Sequence, residues 1–196
     1  MTTILLTGFE PFGNDARNPS GEAVRAVAAR WERAETLVTE VLPVAYDAAG
    51  ARMRELIAEH APDVVIATGV AGGRRVVTPE RVAINVRDAR IPDNSGAQPV
   101  DAPSIDGAPA AYFSTLPVKA IAAAVNGAVS DTAGTFVCNH TMFVALHETA
   151  GTPGVRAGFI HVPWSHESAP ANAPSLPLDE IVTALERAIA VTASAA

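Results

Sequence analysis

The sequence predicts an α/β fold, a three-layer α/β/α sandwich with a twisted, mostly parallel central sheet. Three observations predict it. Short aliphatic runs alternate along the chain with segments of helical spacing. The strongest run, Asp63 to Thr68 (DVVIAT), is apolar almost throughout, as a strand covered on both faces has to be. The chain has 196 residues, 48% of them hydrophobic, which suffices to bury one core without staples, so residues 1–196 read as a single domain.

The elements follow in order. TILLTG is a short buried strand closed by glycine. A helix runs from Pro19-Ser20 to Arg30, with Ala23, Val24, Val27 and Ala28 on one face. TLVTEVLPV, residues 36–44, is β-branched and reads as a strand. Asp47 is placed to cap a helix to His60 whose apolar positions are Met53, Leu56 and Ile57. DVVIAT ends in GVAGG, and RVAINV, residues 81–86, reads as a further strand. Residues 88–110, rich in Pro, Gly, Asp and Ser, form a long irregular segment of the kind that usually serves function. A helix covers Val118 to Ala124, and TMFVALHETA has helical spacing. AGFIHV, residues 157–162, is a strand, Leu178 to Ala190 is an amphipathic helix, and the closing TASAA reads as frayed. In such sheets chemistry collects at the carboxyl ends of strands. GVAGG, PERVAIN and His161 all lie near strand ends.

Composition excludes several classes. Fourteen Lys and Arg against 21 Asp and Glu give a net charge of -7, without a basic cluster, so neither nucleic acid nor anionic membrane is an expected partner. The N-terminal MTTILLTGFEPFG lacks the basic region of a signal peptide, no run reaches the length of a membrane span, and the expected compartment is the cytoplasm. One cysteine forms no internal disulfide and no Cys/His zinc site. His147-Glu148 is not continued to a zincin motif, because Gly151 stands where the second histidine belongs. There is no GxSxG elbow and no GK[ST], and GVAGG lacks the GxGxxG pattern, which leaves nucleotide binding with weak support.

Cys138, the sole cysteine, lies in AGTFVCNH, between the turn formers Gly134-Thr135 and a helical stretch. A helix N-terminus favours thiolate, whereas an isolated cysteine is commonly buried filler; on this segment alone the two readings balance. A thiol nucleophile needs a base. Of the five histidines, His60 ends a polar helix, His140 is two residues from Cys138 and cannot face it on a helix, and His147 lies further along the same helix. His161 interrupts the apolar strand GFIHVP, where an imidazole costs burial energy unless it is hydrogen-bonded; His166, in the following loop, is the fallback. Glu80, in TPERVAIN, is either a partner of Arg74, Arg75 or Arg81 or the acceptor that orients the base. Phe9 and Phe12, in TGFEPFG, either pin a loop to the core or wall a pocket for a small uncharged ring.

TGFEPFG, NPS at 18–20, TPERVAIN, DARIPDN, AGTFVCNH, GFIHVPW and APSLPLDEI together resemble pyroglutamyl peptidase type I (pyrrolidone-carboxylate peptidase), a family of cytosolic cysteine peptidases. The resemblance runs from the first strand to the last helix. It implies hydrolysis of the amide bond after an N-terminal pyroglutamyl residue through a thioester, with Cys138 as nucleophile, His161 as base and Glu80 orienting it. It further implies Arg90 near the oxyanion, and Phe9, Phe12, Asn18, Ile91, Phe136 and Val137 around the ring. It implies the same α/β/α sandwich, no metal or cofactor, and a homodimer or homotetramer. Val70 stands where many relatives carry a polar or larger residue, and Trp164 replaces a frequent tyrosine. Two other classes stay open: an α/β phosphorylase or nucleotide-binding protein that uses GVAGG to hold phosphate, and a silent binder of pyroglutamyl peptides on the same fold.

Overall fold

Thr3–Phe9, the first apolar run, forms strand β1 inside the sheet rather than at its edge, which is why its residues from Ile4 onward are buried. The computed structural model describes residues 2–194. After β1 come α1 (Pro19–Ala29), β2 (Thr36–Leu42), α2 (Tyr46–His60), β3 (Val64–Val70), β4 (Thr78–Pro79), β5 (Val82–Ile84), β6 (Ala111–Phe113), α3 (Val118–Ala124), α4 (Val137–Thr149), β7 (Arg156–Val162), β8 (Trp164–Ser165), β9 (Ser175–Leu176) and α5 (Leu178–Ser194). The central sheet has the order β2-β1-β3-β7-β4. Its first three pairings are parallel, and β4 alone runs antiparallel along β7.

Alternation along the strands sorts the core into two layers. Ile4, Leu6, Val64, Ile66, Ile160 and Val162 face α1, α3 and α5, while Leu5, Val65, Ala67, Ala157 and Phe159 face α2 and α4. Helices therefore cover both faces of a mostly parallel sheet. α4 is buried nearly all round, from Val137 to Leu146, because the β5–β6 ribbon covers the side that α2 and the sheet leave open.

Four expectations are corrected. Ala28 is exposed, while Ala23, Val24 and Val27 of the same expected face are buried. Asp47 does not cap α2: the residue before the helix is Ala45, and the Tyr46 amide donates to the Asp93 carboxylate at 2.8 Å, so the cap comes from a distant segment. RVAINV does not join the central sheet. Only Val82–Ile84 is strand, and it pairs with β6 in a separate ribbon. α5 continues through Ser194, so most of TASAA is helical, and its last two residues lie outside the described ones.

The 88–110 segment is irregular, as its composition requires, but it is tied down. Asp93, 5% exposed, accepts from the amides of Tyr46, Ser95 and Ala97 and from the Ser95 hydroxyl. These donors, with the hydroxyl of Ser95 first among them, outweigh the desolvation that opposes its charge and hold its carboxyl below the usual range. Asn139 on α4 ties the ribbon to the core: its Oδ1 accepts from the Ile84 amide at 3.0 Å, and its Nδ2 donates to the carbonyls of Ile84 and Val86. Asn139→Ala takes these partners from the part-buried Ile84 amide and the Val86 carbonyl and leaves the Ile84 carbonyl only the Val86 amide. We expect a loss of about 3 kcal/mol of stability, read as a lower urea midpoint with an unchanged slope.

Candidate active site

Gly134 (φ 79°) turns the chain, Phe136 stays extended as the residue before α4, and Cys138 becomes the second residue of that helix. The register of the sheet says where its thiol lies. Gly69 on β3 pairs with His161 on β7, so any side chain at 69 would project from the same face as the imidazole. A Cβ at Gly69 would lie 2.9 Å from Cys138 Sγ and 2.8 Å from the Phe159 ring. Phe159 is two residues before His161, on the same face, with ring centroids 4.7 Å apart. The thiol thus occupies the space that glycine leaves beside the histidine.

β4 brings the acid. It lies against β7 with Thr78 opposite His161, and the Glu80 amide donates to the Phe159 carbonyl. Glu80 is fully buried, and its Oε1 is 2.7 Å from His161 Nδ1. The same oxygen accepts from Arg74 Nη1 at 2.6 Å. Burial opposes the charge on Glu80, but His161, Ser130 and Arg74 outweigh it and hold the carboxyl below its ordinary range. An ionised carboxylate only accepts, so His161 donates through Nδ1 and keeps Nε2 as a free base. Burial lowers the affinity of His161 for a proton, and Glu80 offsets only part of that. The imidazole is neutral at rest.

The thiol is neutral too. Burial, reinforced by the charge of Glu80, pushes Cys138 up to about 12, against a smaller opposite pull from Arg74. The thiolate expected from the helix N-terminus does not form at rest, because desolvation outweighs the end of the helix dipole.

Beside Sγ opens a cavity of about 90 Å³ lined by Phe9, Phe12, Asn18, Val44, Val70, Phe136, Val137 and Cys138. Drug-sized ligands need roughly 300 Å³ or more, so this one holds a single small ring. Phe12 and Phe136 meet edge to face at 5.4 Å and also line a second, larger cavity of about 460 Å³ with Asp88, Arg90, Ile91, Gly134 and Thr135. Five of the residues expected around the ring (Phe9, Phe12, Asn18, Phe136 and Val137) therefore share the cavity of Cys138, while Arg90 and Ile91 line the adjoining one. Asn18 is mostly spoken for: its Oδ1 accepts from the amide and hydroxyl of Ser20, and its Nδ2 donates to the Glu10 carbonyl. One N–H remains.

The sequence reading did not single out Gly69, Val44, Glu10 or Asn94 for roles here. Glu10 Oε1 accepts from the Val44 amide and from Asn94 Nδ2, and Asn94 also holds the Pro11 carbonyl and the Gly13 amide. Asn94 thus fastens the Phe9–Phe12 loop to the irregular segment. The signal was present in the motif DARIPDN, but nothing local says that its asparagine reaches back 84 residues. The remaining histidines lie elsewhere. His140, 3% exposed, packs on Tyr46 and Gly50, His147 bonds the Tyr112 hydroxyl, His166 bonds Ser175, and His60 sits beside Glu59. Among the described residues no cluster of three His, Cys, Asp or Glu is arranged to hold a metal ion. A neutral thiol, a free imidazole base, a buried carboxylate and an apolar cavity suit acyl transfer to sulfur.

Comparison with known proteins agrees. The family model described as pyroglutamyl peptidase matches residues 2–195. A pyrrolidone-carboxylate peptidase of Clavibacter michiganensis is 48% identical over 98% of this chain and 93% of its own length. The crystal structure of pyroglutamyl peptidase I from Bacillus amyloliquefaciens superposes with a TM-score of 0.93, at 46% identity, over 100% of this chain and 98% of that one. Pyrrolidone carboxyl peptidase from Thermococcus litoralis gives 0.94 at 36% identity, over 99% and 94%.

Because Cys138 is the sole thiol, its ionisation reads directly as alkylation. The rate with iodoacetamide should rise tenfold per pH unit from pH 6 to 9 and reach no plateau there, since the thiol titrates at about 12. A plateau below pH 8 would mean a preformed thiolate.

Proposed function

The chain belongs to the pyroglutamyl peptidase family, and on that premise we propose how its own residues perform the reaction. It is a cysteine-type hydrolase that removes pyroglutamate from the N-terminus of peptides. The observation that carries the assignment of residues is the small apolar cavity ending at Cys138, on the sheet face that also holds His161.

The pyroglutamyl ring is a neutral lactam. It enters a pocket walled by Phe9, Phe12, Val44, Val70 and Phe136 without leaving a charge behind in water. An ordinary N-terminus carries an ammonium group, and stripping its water in that pocket is prohibitive. The lactam N–H and C=O need partners, and analogues that lack them leave those partners unpaired. The free N–H of Asn18 is one candidate donor. The rest of the peptide extends toward the larger cavity, where Asp88, Arg90 and Ile91 meet it.

The sequence of steps follows from the resting protonation states. As Sγ attacks the carbonyl carbon, His161 Nε2 takes the thiol proton, so no free thiolate has to exist beforehand. The C–S bond forms and the carbonyl oxygen becomes an oxyanion. Amides of the first turn of α4, including that of Cys138, have no partner within the helix and are available to it, with Arg90 adding positive charge from the adjoining wall. The imidazolium, held by Glu80, gives its proton to the departing nitrogen as the C–N bond breaks. Water then attacks the thioester, His161 accepts its proton and returns one to sulfur, and pyroglutamic acid leaves.

The unit 1–196 works without a metal or cofactor in this scheme. No helix among the described residues is long and apolar enough to cross a membrane. The single free thiol the reaction depends on fits a reducing cytoplasm. Ile91, Val100 and Phe113, the large hydrophobics exposed among the described residues, all sit on the excursion around the 88–110 segment. That supports self-association into a homodimer or homotetramer.

Release of aminocoumarin from its pyroglutamyl amide, with the alanyl amide beside it, tests the assignment. Turnover of the first alone, lost after iodoacetamide, is expected. Cys138→Ala abolishes it without unfolding the protein, and Glu80→Gln lowers it less. Gly69→Ala, which brings a methyl group within 2.9 Å of Sγ and displaces it, lowers kcat/KM about a hundredfold. Full activity in Cys138→Ala would end the proposal.

A further inference from the structure

The glycine-rich turn GVAGG reads in sequence as a possible phosphate cradle, yet its geometry serves the protein's own carboxylate. The turn follows β3. Gly73 takes φ 88°, and the Arg74 amide closes the turn on the Ala71 carbonyl at 3.2 Å. A side chain at Gly72 would strike the Trp164 indole at 2.8 Å, so the turn lies flat against that ring. Arg74 is thereby sent back under the sheet. Its guanidinium donates to the Thr78 hydroxyl, to Glu80 Oε1 at 2.6 Å and to the Thr132 carbonyl at 3.2 Å. Its neighbours are not equivalent: Arg75 is exposed, and Arg81 pairs outward with Asp131.

We propose that Arg74 is a positioning residue of the catalytic centre, a fourth member that acts through Glu80 and sets the lower pH limit of activity. The inference rests on the assignment of Glu80, His161 and Cys138 above. Two hydrogen bonds converge on one carboxylate oxygen, from His161 Nδ1 and Arg74 Nη1. With two donors fixed on that oxygen, the carboxylate has one orientation, and so has the imidazole it holds. The Arg74 side chain is 27% exposed and Glu80 is completely covered, so the pair is shielded from full solvent screening.

The sign follows from the groups around His161, which are the carboxylate of Glu80, the guanidinium of Arg74 and the neutral thiol of Cys138. Removing the arginine withdraws a positive charge from a buried carboxylate and from a nearby base. The carboxylate then protonates at higher pH, and so does the imidazole. Activity needs an ionised Glu80 and an unprotonated His161, so both changes move the acid limb the same way, upward. A residue that merely braced the turn would change stability or the height of the plateau and leave the position of that limb where it was. The engagement of Arg74 with Glu80 also takes it out of reach as a phosphate ligand.

The test is the pH dependence of kcat/KM for pyroglutamyl-aminocoumarin in the wild type, Arg74→Met, Arg74→Gln and Arg74→Lys, with thermal melts alongside. Arg74→Met and Arg74→Gln should shift the acid limb upward by about one pH unit. Arg74→Gln keeps a donor for Glu80 and loses the charge, and it stands in if Arg74→Met does not fold. Arg74→Lys keeps the charge and should stay within a few tenths of a unit of the wild type. Adding Arg74→Gln to Glu80→Gln should bring a clearly smaller shift than Arg74→Gln brings in the wild type, because the part that runs through the carboxylate is gone and only the direct effect of the charge on His161 remains. Acid limbs that superimpose across all variants, or an upward shift as large in the Glu80→Gln background as in the wild type, would overturn the proposal. Wild-type protein without activity on the pyroglutamyl amide, or with activity that survives alkylation, would instead overturn the reading on which it rests.

Discussion

The site depends on one constraint, the parallel register that sets Gly69 of β3 beside His161 of β7. Seven consecutive pairs, from Val64–Arg156 to Val70–Val162, fix it. A slip of one residue would turn His161 to the opposite face, among the aliphatic contacts of α1 and α5, and would set a side chain where the thiol lies. The hydrophobic alternation along both strands forbids that slip, so the same pattern that builds the core also aims the histidine. The rest is assembled around this pair. α4 brings Cys138 over the gap at Gly69, and β4, antiparallel on the free side of β7, brings Glu80 under the imidazole.

Much of this was legible in the sequence because it is local. Apolar runs and helical spacing located β1, α1, β2, β3, α3, α4 and β7 closely, and strand-end placement drew attention to His161 and to GVAGG. What was not legible is what long-range contacts decide. RVAINV has the composition of a central strand, yet it pairs with Ala111–Phe113 in a ribbon apart, because antiparallel β4 already closes that edge of the sheet. Asp47 has the right chemistry for a cap, yet the Tyr46 amide is met by Asp93 from 47 residues away. The helix end next to Cys138 argued for thiolate, and burial reversed it. Spacing alone left Glu80 either a partner of an arginine or the acceptor for a histidine. In the structure one oxygen of Glu80 serves both.

The neutral thiol and the apolar pocket belong to one design. A preformed thiolate beside a cavity lined by phenylalanine and valine would need water or a fixed counter-charge close by, and either would admit polar substrates to the pocket. Keeping Cys138 protonated until attack lets the walls stay dry, and dry walls are what separate a lactam from an ammonium. Selectivity for the substrate and general-base activation of the nucleophile thus share a physical origin in desolvation.

The arginine completes that logic. At rest the buried centre holds a carboxylate and a guanidinium, a neutral imidazole and a neutral thiol, and its net charge is zero. During attack a proton moves from sulfur to His161 while negative charge arises on the carbonyl oxygen, and the net charge is again zero. Without Arg74 the resting centre would hold an uncompensated carboxylate next to the thiol, and that carboxylate would be neutralised either by its own proton or by one on the imidazole. Both outcomes remove the base that the reaction needs. A low-dielectric centre whose net charge does not change avoids reorganising its surroundings from step to step, and the turn after β3 is shaped by its glycines to place the cation that balances Glu80.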